Sequence, residues 1–153
     1  MSQPSHSGAS GLLNPHACRA GDAAQMSLPI TEQMVQIYAA LTGDTNPIHT
    51  DPETGRKSMF GTNIAHGMLV GSFFGPVIVN QLIGPGAIYR KQTLEFEAPV
   101  PIGEEITAVV SVKEVKARED KTVYILQTEC FLSSNQSGTR VISGEAVIVV
   151  LKS

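Results

Sequence analysis

The chain predicts an α+β fold in which one antiparallel sheet wraps around a long central helix. Three observations carry that prediction. Apolar residues recur at helical spacing between Thr31 and Thr42, a second segment from Gly67 to Ile83 is apolar on nearly every side, and from Leu94 onward the pattern changes to strict alternation. Helices followed by strands joined by short turns is the α+β order, and a sheet with one apolar face must bury that face against something. The length of 153 residues suits one domain, because domains cluster near ~100 to 150 residues.

Residues 1–26 are rich in Ser, Gly, Ala and Pro and read as a disordered leader, leaving 27–153 as the folded domain. The leader lacks the apolar stretch of a secretory signal. It carries only Arg19, beside Asp22, where a mitochondrial transit peptide calls for repeated Arg, so the cytoplasm is the expected compartment and the mitochondrion the second choice. In the first helix Met34, Ile37, Tyr38 and Leu41 fall at i, i+3, i+4 and i+7 and are expected to form its buried face. Thr31 is a suitable N-cap, Glu32 a first-turn carboxylate and Gly43 a left-handed C-cap. Gly43 to Gly67 has no sustained periodicity, and loops that long are usually functional or disordered. The helix beginning at Gly67 is expected to be surrounded by protein and to break just before Pro76, since a mid-helix proline removes a hydrogen bond and costs on the order of 3 kcal/mol. It is interrupted by glycines, Asn80 and Gln81, and falls short of the roughly 20 residues that a membrane span requires.

Strand character begins where Leu94 and Phe96 alternate with Glu95 and Glu97, and continues where Ile106, Ala108, Val110 and Val112 share one face. Two further strands are expected at about 122–132, with Tyr124, Leu126, Cys130 and Leu132 on one face, and at about 140–151. Arg118 to Lys121 and Ser133 to Thr139 form the turns.

Composition narrows the function. Hydrophobic residues at 42% and charged residues at 16% exclude a wholly disordered chain. Eleven Lys plus Arg against fourteen Asp plus Glu give a net charge of −3, so no global field draws in nucleic acid or an anionic membrane. The two cysteines, Cys18 and Cys130, have neither disulfide-framework nor zinc spacing, and no metal site is expected. Cys130 reads as buried strand packing and Cys18 as an exposed thiol in the leader.

Chemistry concentrates in Gly43 to His49, read as Gly-Asp-Thr-Asn-Pro-Ile-His. Pro47 fixes its own φ and pushes Asn46 toward extended backbone, so the segment turns and can aim Asp44 and His49 at one point. A carboxylate that only accepts, an imidazole that donates and accepts, and an amide that offers both can hold one water in a single orientation. That trio suits the addition of water to a polarised double bond, which needs a base, an acid and something to orient both. If the substrate is a thioester, charge develops on its carbonyl oxygen; the free N–H of Gly67, with no side chain in the way, can receive it.

The segments YAALTGDTNPIHTD and FGTNIAHGMLVGSFF, followed by TLEFEAPVPIGEEITA, resemble the MaoC-like (R)-specific enoyl-CoA hydratase family, also called hydratase 2, over most of residues 30–151. The resemblance implies a hot dog fold, usually a homodimer joined through edge strands. It also implies reversible syn hydration of trans-2-enoyl thioesters to (R)-3-hydroxyacyl thioesters in fatty-acid metabolism, without metal or organic cofactor. Carried over by position, Asp44 and His49 are the acid/base pair, Asn46 positions water or substrate, and the Gly67 N–H polarises the thioester carbonyl. Gly75-Pro76 stands where some relatives have a small polar residue, which alters the acyl pocket.

Other residues have simpler readings as well. Asp44 alone would be an Asx-turn residue, and His49 alone a surface histidine; their shared motif favours a site. His66 is expected to pack at the helix entrance and is left out of the catalytic set, while Thr62 and Asn63 are expected to cap backbone donors. Phe60, Met68 and Ser72 are the candidates for lining the acyl pocket, although a helical serine often bonds its own backbone. Arg90 and Lys91 are candidates for the phosphates of coenzyme A, although isolated basic residues on a strand are more often solvated surface charge. The substrate is expected to be an acyl-CoA or acyl-carrier-protein thioester. Beside hydration stand the reverse dehydration of 3-hydroxyacyl-carrier substrates, a non-catalytic acyl-thioester-binding module and thioester hydrolysis.

Overall fold

The computed structural model describes residues 18–133 and 138–153. Strand β1 spans Ala23–Pro29, and helix α1 Glu32–Thr42. Two short helices, α2 (Pro47–Thr50) and α3 (Pro52–Lys57), occupy the long loop. The central helical path comprises α4 (Gly67–Gly71), α5 (Phe74–Val77) and a π-helical turn (Ile78–Leu82). The remaining strands are β2 (Ile88–Gln92), β3 (Glu95–Phe96), β4 (Glu105–Ala117), β5 (Lys121–Leu132) and β6 (Thr139–Leu151). They form one antiparallel sheet in the order β1-β4-β5-β6-β2, with β3 also pairing to β6.

The alternation read from the sequence sets the inner face of this sheet. Ala108, Cys130 and Ile142 lie abreast across three strands. Ile106, Ala108, Val110, Tyr124, Leu126 and Cys130 are all 0% exposed. Against them pack Phe74, Val77 and Ile78 from the helical path, also fully buried. Register shifts at Val112/Glu114, Cys130/Phe131 and Tyr89/Lys91 add local bend and twist, which let the sheet curl around the helix.

Helix α1 begins and ends as its residues dictate: Thr31 Oγ1 accepts from the Met34 N–H at 3.2 Å, and Gly43, at φ 82, donates its N–H to Ala39. Its buried face is rotated from the expected one. Val35 and Ala39 are buried with Met34 and Tyr38 packed beside them, whereas Ile37 is 60% and Leu41 82% exposed. Two apolar stripes share the helical period on α1, and tertiary packing, not spacing, selects the one that joins the core.

The central helix is interrupted, as expected, ahead of Pro76, but the break lies at Ser72–Phe73. Pro76 has no N–H to give Ser72; instead Gly75 donates to Ser72 and Phe73 to Val70, both three residues back at 3.3 Å. Beyond it Ile83 reaches five residues back to Ile78 at 2.7 Å, the π pattern. Nor is the path covered on all sides, because Met68, Ser72, Asn80 and Gln81 are exposed.

The leader boundary also needs correction. Residues 1–17 lie outside the described residues, but Cys18 to Met26 are part of the fold: β1 pairs with β4 from Ala23↔Ser111 to Pro29↔Glu105, and Gly21 donates to Val112. Cys18 is buried, not exposed, and burial raises its pKa above the usual thiol range. Cys130 is buried as expected, its thiol pushed up to about 12 by desolvation. Part of the expected Ser133–Thr139 turn, residues 134–137, lies outside the described residues. Among the described residues no helix is long and apolar enough to cross a membrane.

Strand β6 passes under the β2–β3 connection at Gly144, where an added Cβ would sit 1.9 Å from the Thr93 carbonyl oxygen. Gly144→Ala should therefore lower unfolding free energy by about 1–3 kcal/mol, the usual cost of overpacking, as measured by urea denaturation.

Candidate active site

The site is built on the turn that ends α1. Once Gly43 has taken the left-handed conformation, Asp44 Oδ1 accepts from the Asn46 N–H at 3.4 Å, and Asn46 Oδ1 accepts from the Ile48 N–H at 3.3 Å. Asn46 is thus the N-cap of α2, with Pro47 in the first helical position. This use of its oxygen leaves its amide nitrogen as the group facing solvent. Asp51 then caps α3, accepting from Thr54 N–H and Oγ1.

A second segment ties this turn down. Asn63 donates to the carbonyls of Ile48 at 2.9 Å, Asp51 at 2.8 Å and Pro47 at 3.4 Å. It therefore serves carbonyls of α2, not the helix-start donors expected of it. The clamp needs close approach, and Gly55 permits it: a Cβ there would lie 2.5 Å from Asn63 N. Ile64 donates to Ile48, and Ala65 to Val100, so the segment is held on both sides.

These ties bring three side chains together. One ring nitrogen each from His49 and His66 and a carboxylate oxygen of Asp44 lie within 4.8 Å of one another. His49 Nδ1 donates to the Ile64 carbonyl at 2.7 Å, which leaves Nε2 as the ring atom available for proton exchange. His66, only 2% exposed, donates from Nε2 to the Asp44 backbone carbonyl at 3.0 Å. Its ring stacks on His49 with centroids 3.9 Å apart and against Tyr38 at 4.6 Å. Its Nδ1 is buried without a hydrogen-bond partner. The expected packing role holds, but His66 also touches both Asp44 and His49, and no spacing rule in the sequence announces that. The trio has enough donor atoms for a metal ion; two of its four imidazole nitrogens are already committed to carbonyl oxygens.

Gly67 opens α4, and among the described residues nothing accepts its N–H. With only five residues in α4, the donor that matters is this peptide group and not a helix dipole. A Cβ on Gly67 would lie 2.7 Å from the Phe96 ring, so a side chain here would displace Phe96 from the wall of the cavity that both residues line. That cavity, about 460 Å³, is lined by His49, Phe60, Gly67, Met68, Phe96 and Glu97 among others. Asp44 and Asn46 are exposed and do not form its wall. A second cavity of about 370 Å³ shares Met68 and adds Ser72, Tyr89, Arg90 and Lys91. Ser72 Oγ donates to the Leu69 carbonyl, the self-bonding expected of a helical serine. Tyr89 is 45% exposed as a residue, and partial desolvation of its hydroxyl pushes the pKa up to about 12.

Sequence reasoning missed Phe96 and Glu97 as cavity residues. Arg140 holds Glu97 through two hydrogen bonds of 2.7 and 2.9 Å and lowers its carboxyl pKa, while also binding Glu129 at 3.0 Å. Arg140 and Glu97 lie far apart in the chain, and no local pattern pairs them.

Removing the clamp should be costly. Asn63→Ala leaves carbonyls of α2 short of donors and should lower unfolding free energy by about 1–3 kcal/mol, with faster amide exchange at Ile48 and His49.

Comparison with known proteins places this geometry. Residues 19–131 match the family model described as MaoC like domain. Two curated relatives are each 38% identical and are named (R)-specific enoyl-CoA hydratase: one from Rhodospirillum rubrum, covering 85% of this chain and 86% of that protein, and one from Aeromonas caviae, covering 89% and 98%. A 3-hydroxyacyl-[acyl-carrier-protein] dehydratase, mitochondrial, from Arabidopsis thaliana is 35% identical over 92% of this chain and 82% of its own length. Among solved structures, the (R)-hydratase of A. caviae superposes with a TM-score of 0.79 at 39% identity, covering 86% of this chain and 96% of that one. An R-hydratase from Pseudomonas aeruginosa gives 0.81 at 34%, covering 92% and 87%. The fold is therefore the hot dog fold, and the chain belongs to the MaoC-like domain family.

Proposed function

We propose that this protein adds water reversibly across the double bond of trans-2-enoyl-CoA thioesters, forming (R)-3-hydroxyacyl-CoA. The observation that carries the reading is the convergence of the Asp44 carboxylate and the His49 imidazole, within 4.8 Å of each other, next to an apolar cavity that contains the Gly67 N–H. The names of the hydratase relatives support the CoA substrate and the (R) outcome.

The chemistry follows from where protons and charge go. The acyl tail occupies the cavity among Phe60, Met68 and Phe96, with the thioester carbonyl on the Gly67 N–H. Asp44 takes a proton from water as its oxygen bonds to C3, and His49 Nε2 delivers a proton to C2. Between those events the negative charge rests on the thioester oxygen, where a preorganised donor is most effective. Transfer of the proton from Asp44 to His49 resets the pair. The Asn46 amide nitrogen orients water from the solvent side. Every step uses the chain's own groups, so the reading requires neither metal nor organic cofactor.

A homodimer is the assembly this reading takes; exposed Ile88 and Tyr89 on edge strand β2 suit a second copy.

Loss of crotonyl-CoA absorbance tests the proposal directly, and unchanged absorbance across several acyl lengths overturns it. Asp44→Asn keeps shape while removing the base and should cut kcat by about 10²- to 10⁴-fold. His66 separates positioning from packing. His66→Phe keeps a ring under His49 but loses the bond to Asp44, and should lower kcat by about 10- to 100-fold with KM little changed. His66→Gln, which restores an N–H at similar reach, should recover part of that loss.

A further inference from the structure

A third concavity lies on the opposite face of the sheet from the core. Its volume is about 640 Å³, and its rim carries Arg90, Lys91, Lys116, Arg118 and Lys121. These are five of the chain's eleven Lys plus Arg, gathered in a protein of net charge −3. Its floor is aliphatic: Val123, Ile125 and Val147. The register explains the grouping. Lys91 is directly opposite Val147, Val147 opposite Ile125, and Lys116 opposite Val123, and directly opposed residues share a face. Tyr124 and Leu126, one step along β5, point to the core instead.

Among the described residues no carboxylate lines this groove. Lys116 has a long contact with Glu114 at 3.8 Å, and none of the other four cations has an ion pair. Glu119 and Asp120 sit in the neighbouring turn without meeting them. The groove adjoins the second cavity across edge strand β2, and that cavity in turn adjoins the first. Met68 lines both the first and second cavities, and Arg90 and Lys91 line both the second cavity and the groove.

We propose that this groove is the docking surface for an acidic acyl carrier protein, whose prosthetic arm reaches the Asp44/His49 site through the second cavity. The proposal rests on the thioester reading above and adds a second form of substrate to it. Charge complementarity argues for an acidic partner. The anatomy argues for a protein: an aliphatic centre on β5 and β6 with a charged rim from β2, β4, β5 and the β4–β5 turn suits an acidic amphipathic helix, whose apolar side chains settle on Val123, Ile125 and Val147. Arg90 and Lys91, at the junction, would meet the phosphate of the arm.

The test compares one acyl group on two carriers. Lys116→Glu, Arg118→Glu and Lys121→Glu are combined in the full chain, and turnover of crotonyl-CoA and of a crotonyl-loaded acidic carrier protein is measured at low and moderate salt. The expected result is a fall of about 10-fold or more in kcat/KM for the carrier-bound substrate, with crotonyl-CoA changed less than about twofold. Wild-type turnover of the carrier substrate should fall steeply with added salt. Equal losses on both substrates would place the CoA nucleotide in the groove and overturn the proposal; so would no loss on either. Fluorescence anisotropy of labelled carrier protein gives a readout independent of turnover: binding by wild type and not by the triple variant supports the docking surface, and absence of binding by wild type overturns it. Inactivity toward both substrates with carrier binding intact would count against the thioester chemistry and leave the surface standing. A milder Lys116→Gln, Arg118→Gln, Lys121→Gln variant should show the same ordering, and covers the case in which charge reversal impairs folding.

Discussion

One side-chain amide holds the candidate site together. Asn63 gives its two protons to carbonyls at the start and end of α2, and Ile64 beside it accepts from His49. A helix of four residues such as α2 cannot sustain itself, since helix nucleation is costly and repaid only over many residues. Its shape is imposed by the Asn46 cap at one end and the Asn63 clamp along its side. The direction of the His49 ring is therefore a tertiary property, set from a segment fifteen residues away in sequence. His66 completes the frame by binding the Asp44 carbonyl while its own peptide bond presents the Gly67 N–H. The Asp44 turn, the His49 ring and the Gly67 N–H are fixed relative to one another by a handful of contacts among Asn63, Ile64 and His66.

The broken central helix serves the same geometry. Its core side fills the sheet with Phe74, Val77 and Ile78, and its outer side keeps Met68 and Ser72 exposed. A helix covered all round would leave no opening along Met68, the residue shared by the two cavities. The interruption at Ser72–Phe73 accommodates the missing N–H of Pro76 and lets each part take its own hydrogen-bond spacing.

What the sequence made legible was local. Thr31 and Gly43 announce the ends of α1 because caps act within a turn, and the Asp44-to-His49 motif announces a site because its proline and Asx chemistry shape the backbone over a few residues. The long strands were readable from alternation alone. Where two local solutions were equivalent, sequence could not choose: Val35/Ala39 and Ile37/Leu41 have the same spacing, and only tertiary packing decides which is buried. Strand β1 escaped notice because Ala23, Ala24, Gln25 and Ser27 are small or polar and look like the leader before them. Features assembled from distant segments had no signal at all, among them the Arg140 grip on Glu97, the stacking of His66 on His49 and the gathering of cations from β2, β4 and the β4–β5 turn.

The clamped loop bears on how the molecule fails when heated. Segments that open on their own are those with few ties to the rest of a structure. Here the loop that carries Asp44 and His49 is tied to the start of α3 through Asn63, and the Asn63–Ala65 segment to the Val100 backbone through Ala65, so the loop is held at more than its two ends. Thermal inactivation and global melting should then be one cooperative event, with no folded but inert species accumulating between them.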